Sequence, residues 1–269
     1  MTVEEVKKIN LYNTPPNEKI DIDLLLQTRN NYASRLNRLF GNIPNTEYSQ
    51  LYSVYLDIDV EYKRFENLAN AQKFTEFEKR SEQIKGILSQ VREMGATPQQ
   101  LQMQFGKSKS KIRPMVEKAV NCYPREWVEM SANRGALKLK KVERGHYNDF
   151  KGELTISGEG GKAFETAIHE FGHRMEYTFG DIVLAEKEFY ARRTAGEKLE
   201  KLKKLTGQDY NATEVTRKDK FLDVYMGKDY GGRAYELVSM GFQYAFTNPE
   251  RLMLDGDMAE WIFGLLAIV

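Results

Sequence analysis

Apolar residues recur every three or four positions through the first third of the chain, which is the spacing of amphipathic helices. The pattern predicts helices between residues 21 and 93 with two interruptions, the first where glycine and proline occur at positions 41–45. Residues 1–20, which include Pro15 and Pro16, are predicted to be an extended segment. The apolar positions of the three predicted helices are Leu24, Leu25, Leu36 and Phe40, then Leu51, Tyr55, Ile58, Tyr62 and Phe65, then Phe74, Phe77, Ile84, Ile87, Leu88 and Val91.

A basic segment at residues 107–114 separates this helical region from the rest of the chain. Lysine or arginine occupies every second position from Lys107 to Arg113. We interpret the segment as a solvated linker in preference to a phosphate-binding patch, because charge runs usually lie on solvated faces. It sets the predicted boundary between a helical domain, residues 21–113, and a second domain, residues 114–269.

Beyond this segment the pattern changes from helical to alternating and back. Residues 136–142 and 153–157 alternate apolar and polar side chains, as half-buried strands do, and a connection of hairpin length joins them. Helices are predicted at 114–120, 163–180, 182–204 and 234–242, and residues 122–130 contain Trp127, which is expected to be buried. The helix at 182–204 is long, and its mixed charge is expected to mark a solvated face, with a wall of a cleft or a docking surface for a partner as alternatives. The sequence therefore predicts an α+β fold that is mostly helical and contains a small antiparallel sheet.

Composition narrows the possible partners. The 269 residues include 40 Lys and Arg against 39 Asp and Glu, and a net charge of +1 predicts no nucleic-acid partner. The longest apolar stretch, residues 261–269, is about half the ~20 residues that a membrane-spanning helix needs, and the start lacks the features of a signal peptide. A single cysteine, Cys122, fits a reducing compartment. The default expectation is a cytoplasmic protein, with non-classical export or virion association as alternatives.

Candidate chemistry is concentrated in the segment His169-Glu170-Phe171-Gly172-His173. On a helix, positions i and i+4 lie one turn apart on the same face, so both imidazoles can bind one metal ion. Zinc accepts nitrogen ligands and keeps a position for water in catalytic sites. Glu170 is placed to act as general base toward that water. Arg174, the one charged neighbour in an otherwise uncharged setting, is expected to point outward.

A third protein ligand must come from elsewhere, because no histidine follows His173 in the sequence. Glu236 is the lone carboxylate in the apolar run 234–242, and an unpaired buried carboxylate is costly unless it binds a metal. The alternative is a carboxylate that the helix dipole favours at a helix start. The predicted metal site is therefore His169, His173 and Glu236 around zinc, with cobalt or manganese as alternatives.

Other polar residues near these positions have two possible roles. Ser239, one turn after Glu236, either supports a ligand histidine or is a helix-surface hydroxyl. Glu176 and Asp181 either orient a ligand histidine or lie on a helix surface. His146, between the two predicted strands, is expected to be a surface or hydrogen-bonded histidine and not a catalytic one.

The helix with His169, Glu170 and His173, combined with a distant glutamate, resembles the gluzincin class of metallopeptidases. More narrowly, Tyr230-Gly231-Gly232-Arg233 followed by Glu236 resembles the catalytic domains of anthrax lethal factor and related endopeptidases. The resemblance extends from about residue 127 to the C-terminus and implies a zincin-like domain. The second half also resembles peptidase-like modules of bacteriophage structural proteins and polymorphic toxins.

The resemblance also implies roles for individual positions. In that family a tyrosine shortly before the ligand glutamate stabilises the oxyanion, which implies Tyr230, with Tyr235 and Tyr225 as rivals. In zincins an edge strand beside the active helix pairs with extended substrate, which implies this role for residues 153–157, and an ordinary hairpin is the alternative. The predicted function is a zinc-dependent endopeptidase acting on a protein or peptide substrate. The alternatives are a structural or phage-assembly protein with a non-catalytic zinc site, and a toxin or effector peptidase.

Overall fold

The computed structural model describes residues 22–208 and 210–268, so the predicted extended segment at 1–20 lies outside the described residues. The protein is mostly helical, with 63% helix and 8% strand, which confirms the α+β class at that level. In the described part of the chain, no helix combines the length and apolar character needed to cross a membrane.

Helices make up most of the described chain, and the strands between them are short. The helices are Ile22–Leu39, Asn45–Leu88, Pro98–Phe105, Arg113–Val120, Arg125–Ala132, Gly160–Thr178, Gly180–Arg193, Leu202–Thr206, Leu237–Thr247, Pro249–Leu252 and Gly256–Ile268, with a 3-10 helix at Val224–Gly227. The strands are β1 (Lys138–Lys141), β2 (His146–Asn148), β3 (Glu153–Ile156), β4 (Leu199–Lys201) and β5 (Val215–Arg217). We call Gly160–Thr178 the histidine helix and Leu237–Thr247 the glutamate helix.

The chain forms two compact units that divide between Lys73 and Phe74. In the first unit, the helix Ile22–Leu39 and the start of Asn45–Leu88 bury Leu25, Ile58 and Phe65 together. The break predicted between the second and third helices is absent, and Asn45–Leu88 is a single helix of 44 residues. No glycine or proline lies between residues 65 and 74, so nothing in the backbone chemistry stops the helix there.

The division at 73 differs from the predicted domain boundary at residue 114. Phe77, Leu88 and Phe105 belong to the same buried core as Trp127, so residues 74–113 are part of the second unit. The basic segment is also held by hydrogen bonds within the fold, because Arg113 donates to the carbonyl oxygens of Gly106 and Ser108 at 3.2 Å. The charge run therefore lies on a folded surface and does not mark a linker between domains.

The second unit contains a three-stranded sheet in the order β1-β3-β2. β1 pairs with β3 in parallel, and β2 pairs with β3 antiparallel, so the predicted purely antiparallel sheet is wrong. The connection that looked like a hairpin turn contains β2 itself. β3 is therefore the central strand with partners on both sides, and residues 153–157 do not offer the free edge expected of them. A separate antiparallel pair, β4 and β5, lies further along the chain.

The charged helix predicted at 182–204 is interrupted. The helix ends at Arg193, Gly196 adopts a φ of 80°, and residues 199–201 form β4. A left-handed glycine terminates a helix at little cost because it has no Cβ to clash. The break matters for the site, because β4 and β5 lead to the segment 224–236 that approaches the histidines.

Arg174 is buried in the second unit, with 1% of its surface exposed, and the expectation that it points outward is wrong. Its Nη2 donates to the carbonyl oxygens of Ser131 at 2.6 Å and Gly135 at 2.7 Å, and to Oε1 of Gln104 at 3.2 Å. A buried guanidinium is tolerated only when its N–H groups find acceptors, and carbonyl groups at the end of a helix provide them. Arg174 therefore anchors the histidine helix to the helix Arg125–Ala132.

Candidate metal centre

The histidine helix carries two imidazoles at the wall of a cleft of about 500 Å³. His169 and His173 are one turn apart, and their ring centroids are 4.9 Å apart. Their side chains are 14% and 16% exposed, so each reaches the cleft from a largely buried position. The sequence prediction that both histidines share one face is confirmed.

Glu236 occupies the N-cap position of the glutamate helix, and only 1% of its surface is exposed. Its Oε2 lies 3.1 Å from Nε2 of His169 and 3.2 Å from Nε2 of His173. Glu236 therefore starts a helix, as the alternative interpretation predicted, and it also faces the histidines, as the metal-ligand interpretation requires. The structure brings the three predicted ligand side chains together.

These separations fit a metal ion of the size and geometry of zinc. Zinc bonds to histidine nitrogen and carboxylate oxygen at about 2.0–2.2 Å, and tetrahedral angles then place neighbouring ligand atoms about 3.3 Å apart. The three atoms converge from two helices onto one point, and they are two neutral nitrogens and one anionic oxygen. This donor set is the one that zinc prefers.

Gly172 allows the two helices to approach closely enough for this convergence. A Cβ at this position would lie 2.7 Å from Cα of Ser239, a backbone atom of the glutamate helix. Any larger residue would push that helix, and Glu236 at its start, away from the histidines. The glycine between Phe171 and His173 therefore has a packing role that the motif alone does not reveal.

The charges of the centre favour a cation. Burial by itself raises the pKa of Glu236, but His173 and His169 outweigh it and hold this pKa well below its ordinary value. Burial lowers the pKa of His173, but Glu176 and Glu236 outweigh it and raise this pKa well above its ordinary value. Without a metal His173 thus retains its proton, and a metal ion can replace that proton.

Glu170 lies beside the ligands and does not need to be one of them. One of its carboxylate oxygens is within 4.8 Å of a ring nitrogen of each histidine. The side chain is 5% exposed, and burial raises its pKa in spite of the two nearby histidines. Gly145 packs over it, because a Cβ there would lie 3.2 Å from Oε1 of Glu170 and 2.4 Å from Cγ2 of Thr166. Glu170 is therefore a desolvated carboxylate at the cleft floor.

Behind the ligands, Glu176 and Ser239 make the hydrogen bonds that fix them. Oε2 of Glu176 lies 2.9 Å from Nδ1 of His173, which directs Nε2 toward the ligand position. Ser239 is fully buried and donates from Oγ to Oε2 of Glu236 at 3.2 Å, so it supports the glutamate and not a histidine. Asp181, the other residue considered for this role, is exposed in the first turn of the next helix.

The three candidate tyrosines take different positions. Tyr230 donates a hydrogen bond from its hydroxyl to Oε1 of Glu236, the oxygen that does not face the histidines. Tyr225 also lines the cleft. Tyr235 is 4% exposed and packs on Tyr190 with ring centroids 5.4 Å apart, and it is not among the residues that line the cleft. Burial is the main cause that raises the pKa of both Tyr225 and Tyr230, so each hydroxyl keeps its proton as a donor.

Three residues in or next to the cleft were not predicted from the sequence, and they are Arg144, Glu214 and Lys228. Lys228 lies between two aromatic rings, with Nζ 4.7 Å from the ring centroid of Tyr225 and 4.5 Å from that of Tyr230. Its Nζ is 2.7 Å from Oε1 of Glu214, which also pairs with Arg144 at 2.9 Å. The sequence offered a signal for Lys228, because this lysine lies between Tyr225 and Tyr230 along the chain. It offered none for Glu214, which is brought to the site because it directly precedes β5.

His146 begins β2, the edge strand beside the cleft. Its side chain is 52% exposed and its Nδ1 lies 3.0 Å from Oγ1 of Thr155. This is the hydrogen-bonded surface histidine that the sequence analysis expected. Because β3 is central, the strand that can offer a free edge to the cleft is β2, with Gly145 and Tyr147 also lining it.

In comparisons with protein-family models, with curated proteins and with solved structures, none matches the chain.

Proposed function

We propose that the second unit is a zincin-like domain and that the chain is a zinc-dependent endopeptidase. The observation that carries the proposal is the convergence of Nε2 of His169, Nε2 of His173 and Oε2 of Glu236, with separations of 3.1 and 3.2 Å, beside Glu170 in an open cleft. When bound there, zinc would polarise a scissile carbonyl group and acidify the attacking water.

Glu170 is the proposed general base. A buried carboxylate with a raised pKa accepts a proton readily near neutral pH and can release it again to a leaving amine. A structural zinc site has no need of such a group, since structural sites are closed by four protein ligands. The position of Glu170 at the floor of the cleft therefore supports catalysis over a purely structural role.

Tyr230 is the proposed oxyanion donor. Of the three tyrosines considered, it is the one whose hydroxyl reaches the ligand set. Tyr225 accepts hydrogen bonds from Nζ of Lys228 at 3.1 Å and Nη2 of Arg144 at 3.5 Å, so its hydroxyl is held in place beside the cleft. The hydroxyl of Tyr230 already donates to the negative charge of Glu236, and a donor in this position can serve a reacting carbonyl oxygen in the same way.

The shape of the cleft supports a peptide substrate. A second cavity of about 230 Å³ shares Arg144, His169 and Glu170 with the first, so open space continues past His169. A chain that crosses the site can pair with the edge of β2 through its main chain, as extended peptides do with exposed strands. This assigns to residues 146–148 the substrate-pairing role that the sequence analysis gave to residues 153–157.

The test is metal content by mass spectrometry on the wild type and on Glu170→Gln and Glu236→Ala, with cleavage of a peptide library in parallel. We expect about one zinc per chain in the wild type and in Glu170→Gln, reduced zinc in Glu236→Ala, and cleavage by the wild type alone. Glu188→Gln, on an exposed face, is the control and should match the wild type. A wild-type protein that takes up no zinc would overturn the proposal.

A further inference from the structure

Glu186 is a fully buried carboxyl group that connects the two ligand-bearing helices. It lies on the helix Gly180–Arg193 with no exposed surface. Its Oε1 accepts a hydrogen bond of 2.9 Å from the backbone N–H of Val238, two residues after Glu236 in the first turn of the glutamate helix. Its Oε2 is buried and has no hydrogen-bond partner among the described residues.

The neighbouring carboxyl group is Glu176, which is 5% exposed. Oε2 of Glu176 lies 2.9 Å from Nδ1 of His173, and its Oε1 is a second buried oxygen that lacks a partner among the described residues. Burial, and then the charge of Glu176, raise the pKa of Glu186 well above its ordinary value. Two buried, unsatisfied oxygens on adjacent carboxyl groups need an explanation, because such groups are rare in folded proteins.

A single proton satisfies both oxygens. Two ionised carboxylates cannot share a buried place without a large cost, so one of them is held neutral. Oε2 of Glu176 is already occupied by His173, and Glu186 is the more deeply buried of the two groups, with no exposed surface against 5%, so the uncharged form is assigned to Glu186. The proton then belongs on Oε2 of Glu186, from which an O–H can donate toward Oε1 of Glu176.

We infer that Glu186 is a positioning residue of the metal centre that acts as a neutral carboxylic acid, accepting from Val238 and donating to Glu176. It thereby joins the start of the glutamate helix to the carboxylate that orients His173. The assignment rests on the proposed zinc site, and it adds a residue that touches neither metal nor substrate. The helix Gly180–Arg193 then contributes to zinc affinity although it supplies no ligand.

The experiment compares zinc affinity, by chelator competition, in the wild type, Glu186→Gln and Glu186→Leu. Glutamine can accept from Val238 through its oxygen and donate to Glu176 through its nitrogen, so zinc affinity should stay within about threefold of the wild type. Leucine removes both bonds, and zinc affinity should fall about 10- to 100-fold, the usual range for partners of metal ligands. Glu188→Leu, exposed on the same helix, is the matched control and should bind zinc as the wild type does.

A second measurement is independent of zinc and of the folding of the leucine variant. Infrared difference spectra of metal-free protein near neutral pH should show a protonated carboxylic acid in the wild type that Glu186→Gln lacks. The inference is overturned if that band is absent, if Glu186→Gln loses as much zinc affinity as Glu186→Leu, or if Glu186→Leu binds zinc like the wild type. A wild type that binds no zinc contradicts the proposed function instead, and the infrared result still decides the protonation of Glu186.

Discussion

The two sides of the candidate metal centre are built from opposite kinds of polar group. Behind the ligands lies an acidic layer, Glu176 and Glu186, both buried. In front lies a wall of donors that faces the cleft, Tyr225, Lys228 and Tyr230. Glu176 of the acidic layer contacts His173 at Nδ1, the ring nitrogen that does not face Glu236, whereas Tyr230 of the donor wall contacts Oε1 of Glu236.

This difference predicts that one side governs zinc affinity and the other governs catalytic rate. Buried carboxyl groups that orient ligands govern how tightly a metal is held, because they affect ligand basicity and geometry before any substrate arrives. Donors at the cleft act on charge that develops during reaction, so they govern turnover. Variants on the two sides should therefore separate zinc affinity from catalytic rate.

The largest effect is expected for Tyr230→Phe, on the front side. Loss of the hydroxyl removes a donor to the reacting oxygen, and kcat/KM should fall about 100- to 1000-fold. Zinc affinity should change less than about tenfold, since Oε2 of Glu236 still faces both histidines. Steady-state kinetics and chelator competition on the same preparations measure the two quantities.

Tyr235→Phe is the control for this variant, because Tyr235 packs on Tyr190 and is not among the residues that line the cleft. Its kcat/KM should be within about threefold of the wild type. A Tyr230→Phe protein with normal turnover but little zinc would reverse the assignment of the front side.

On the back side, Glu176→Leu should weaken zinc binding about 10- to 100-fold, because His173 loses the acceptor at its Nδ1. At saturating zinc, kcat should change much less than in Tyr230→Phe, since the donor wall is intact. Isothermal titration with zinc and kinetics at high zinc concentration test this. Equal losses of kcat in the two variants would show that the two sides do not act separately.

Gly172→Ala tests the packing that brings both sides to one point. The added Cβ would lie 2.7 Å from Cα of Ser239, and overpacking against a backbone atom costs about 1–3 kcal/mol of stability. The shift should also lower zinc affinity, because it moves Glu236 from the histidines. Gly180→Ala is the control, with no atom within 4 Å of the added Cβ, and its thermal unfolding should match the wild type. Gly172→Ala with unchanged stability and zinc content would contradict the role assigned to the glycine.

The smallest effect concerns pH and Glu214, which supports the donor wall. Burial raises the pKa of Glu214, but Arg144 and Lys228 outweigh it and lower this pKa from 4.5 to about 2. A lowered pKa stabilises the folded state above the unfolded value, and this contribution is lost as pH falls from about 4.5 to about 2. The wild type should therefore exceed Glu214→Gln in stability by about 1 kcal/mol at neutral pH, with the difference vanishing near the lower limit. Denaturant unfolding of both proteins across this range measures it, and a difference that grows on acidification would contradict the assignment.

Much of the centre was accessible from sequence because its chemistry is local. The spacing of His169 and His173 requires only helical geometry, and the structure places them as expected. Glu236 was found as a lone carboxylate in an apolar run, which is a statement about the cost of burial. Both arguments need a helix and a core, without any knowledge of how distant segments pack.

The predictions that were wrong or incomplete concern features that depend on the packing of distant segments or on burial. Glu186 was assigned to a solvated charged helix, although it falls on the same helical face as the buried Ile182 and Phe189, so periodicity held a usable signal. Arg174 gave no comparable signal, because the carbonyl groups that accept its hydrogen bonds come from residues about 40 positions earlier. The strand order failed for a similar reason, since β2 was too short to be recognised and moved β3 to the centre of the sheet.

Residue spacing and burial over a few turns were sufficient to predict the two histidines on one helical face, Glu170 between them and the mostly helical class. The packing of distant segments was needed to bring Oε2 of Glu236 to the histidines, to bring Tyr230 and not Tyr235 to Glu236, and to bury Glu186 beside Val238. The first of these outcomes depends on how closely two helices approach at Gly172. Close approach is a property of side-chain volumes on both partners, which no single segment contains.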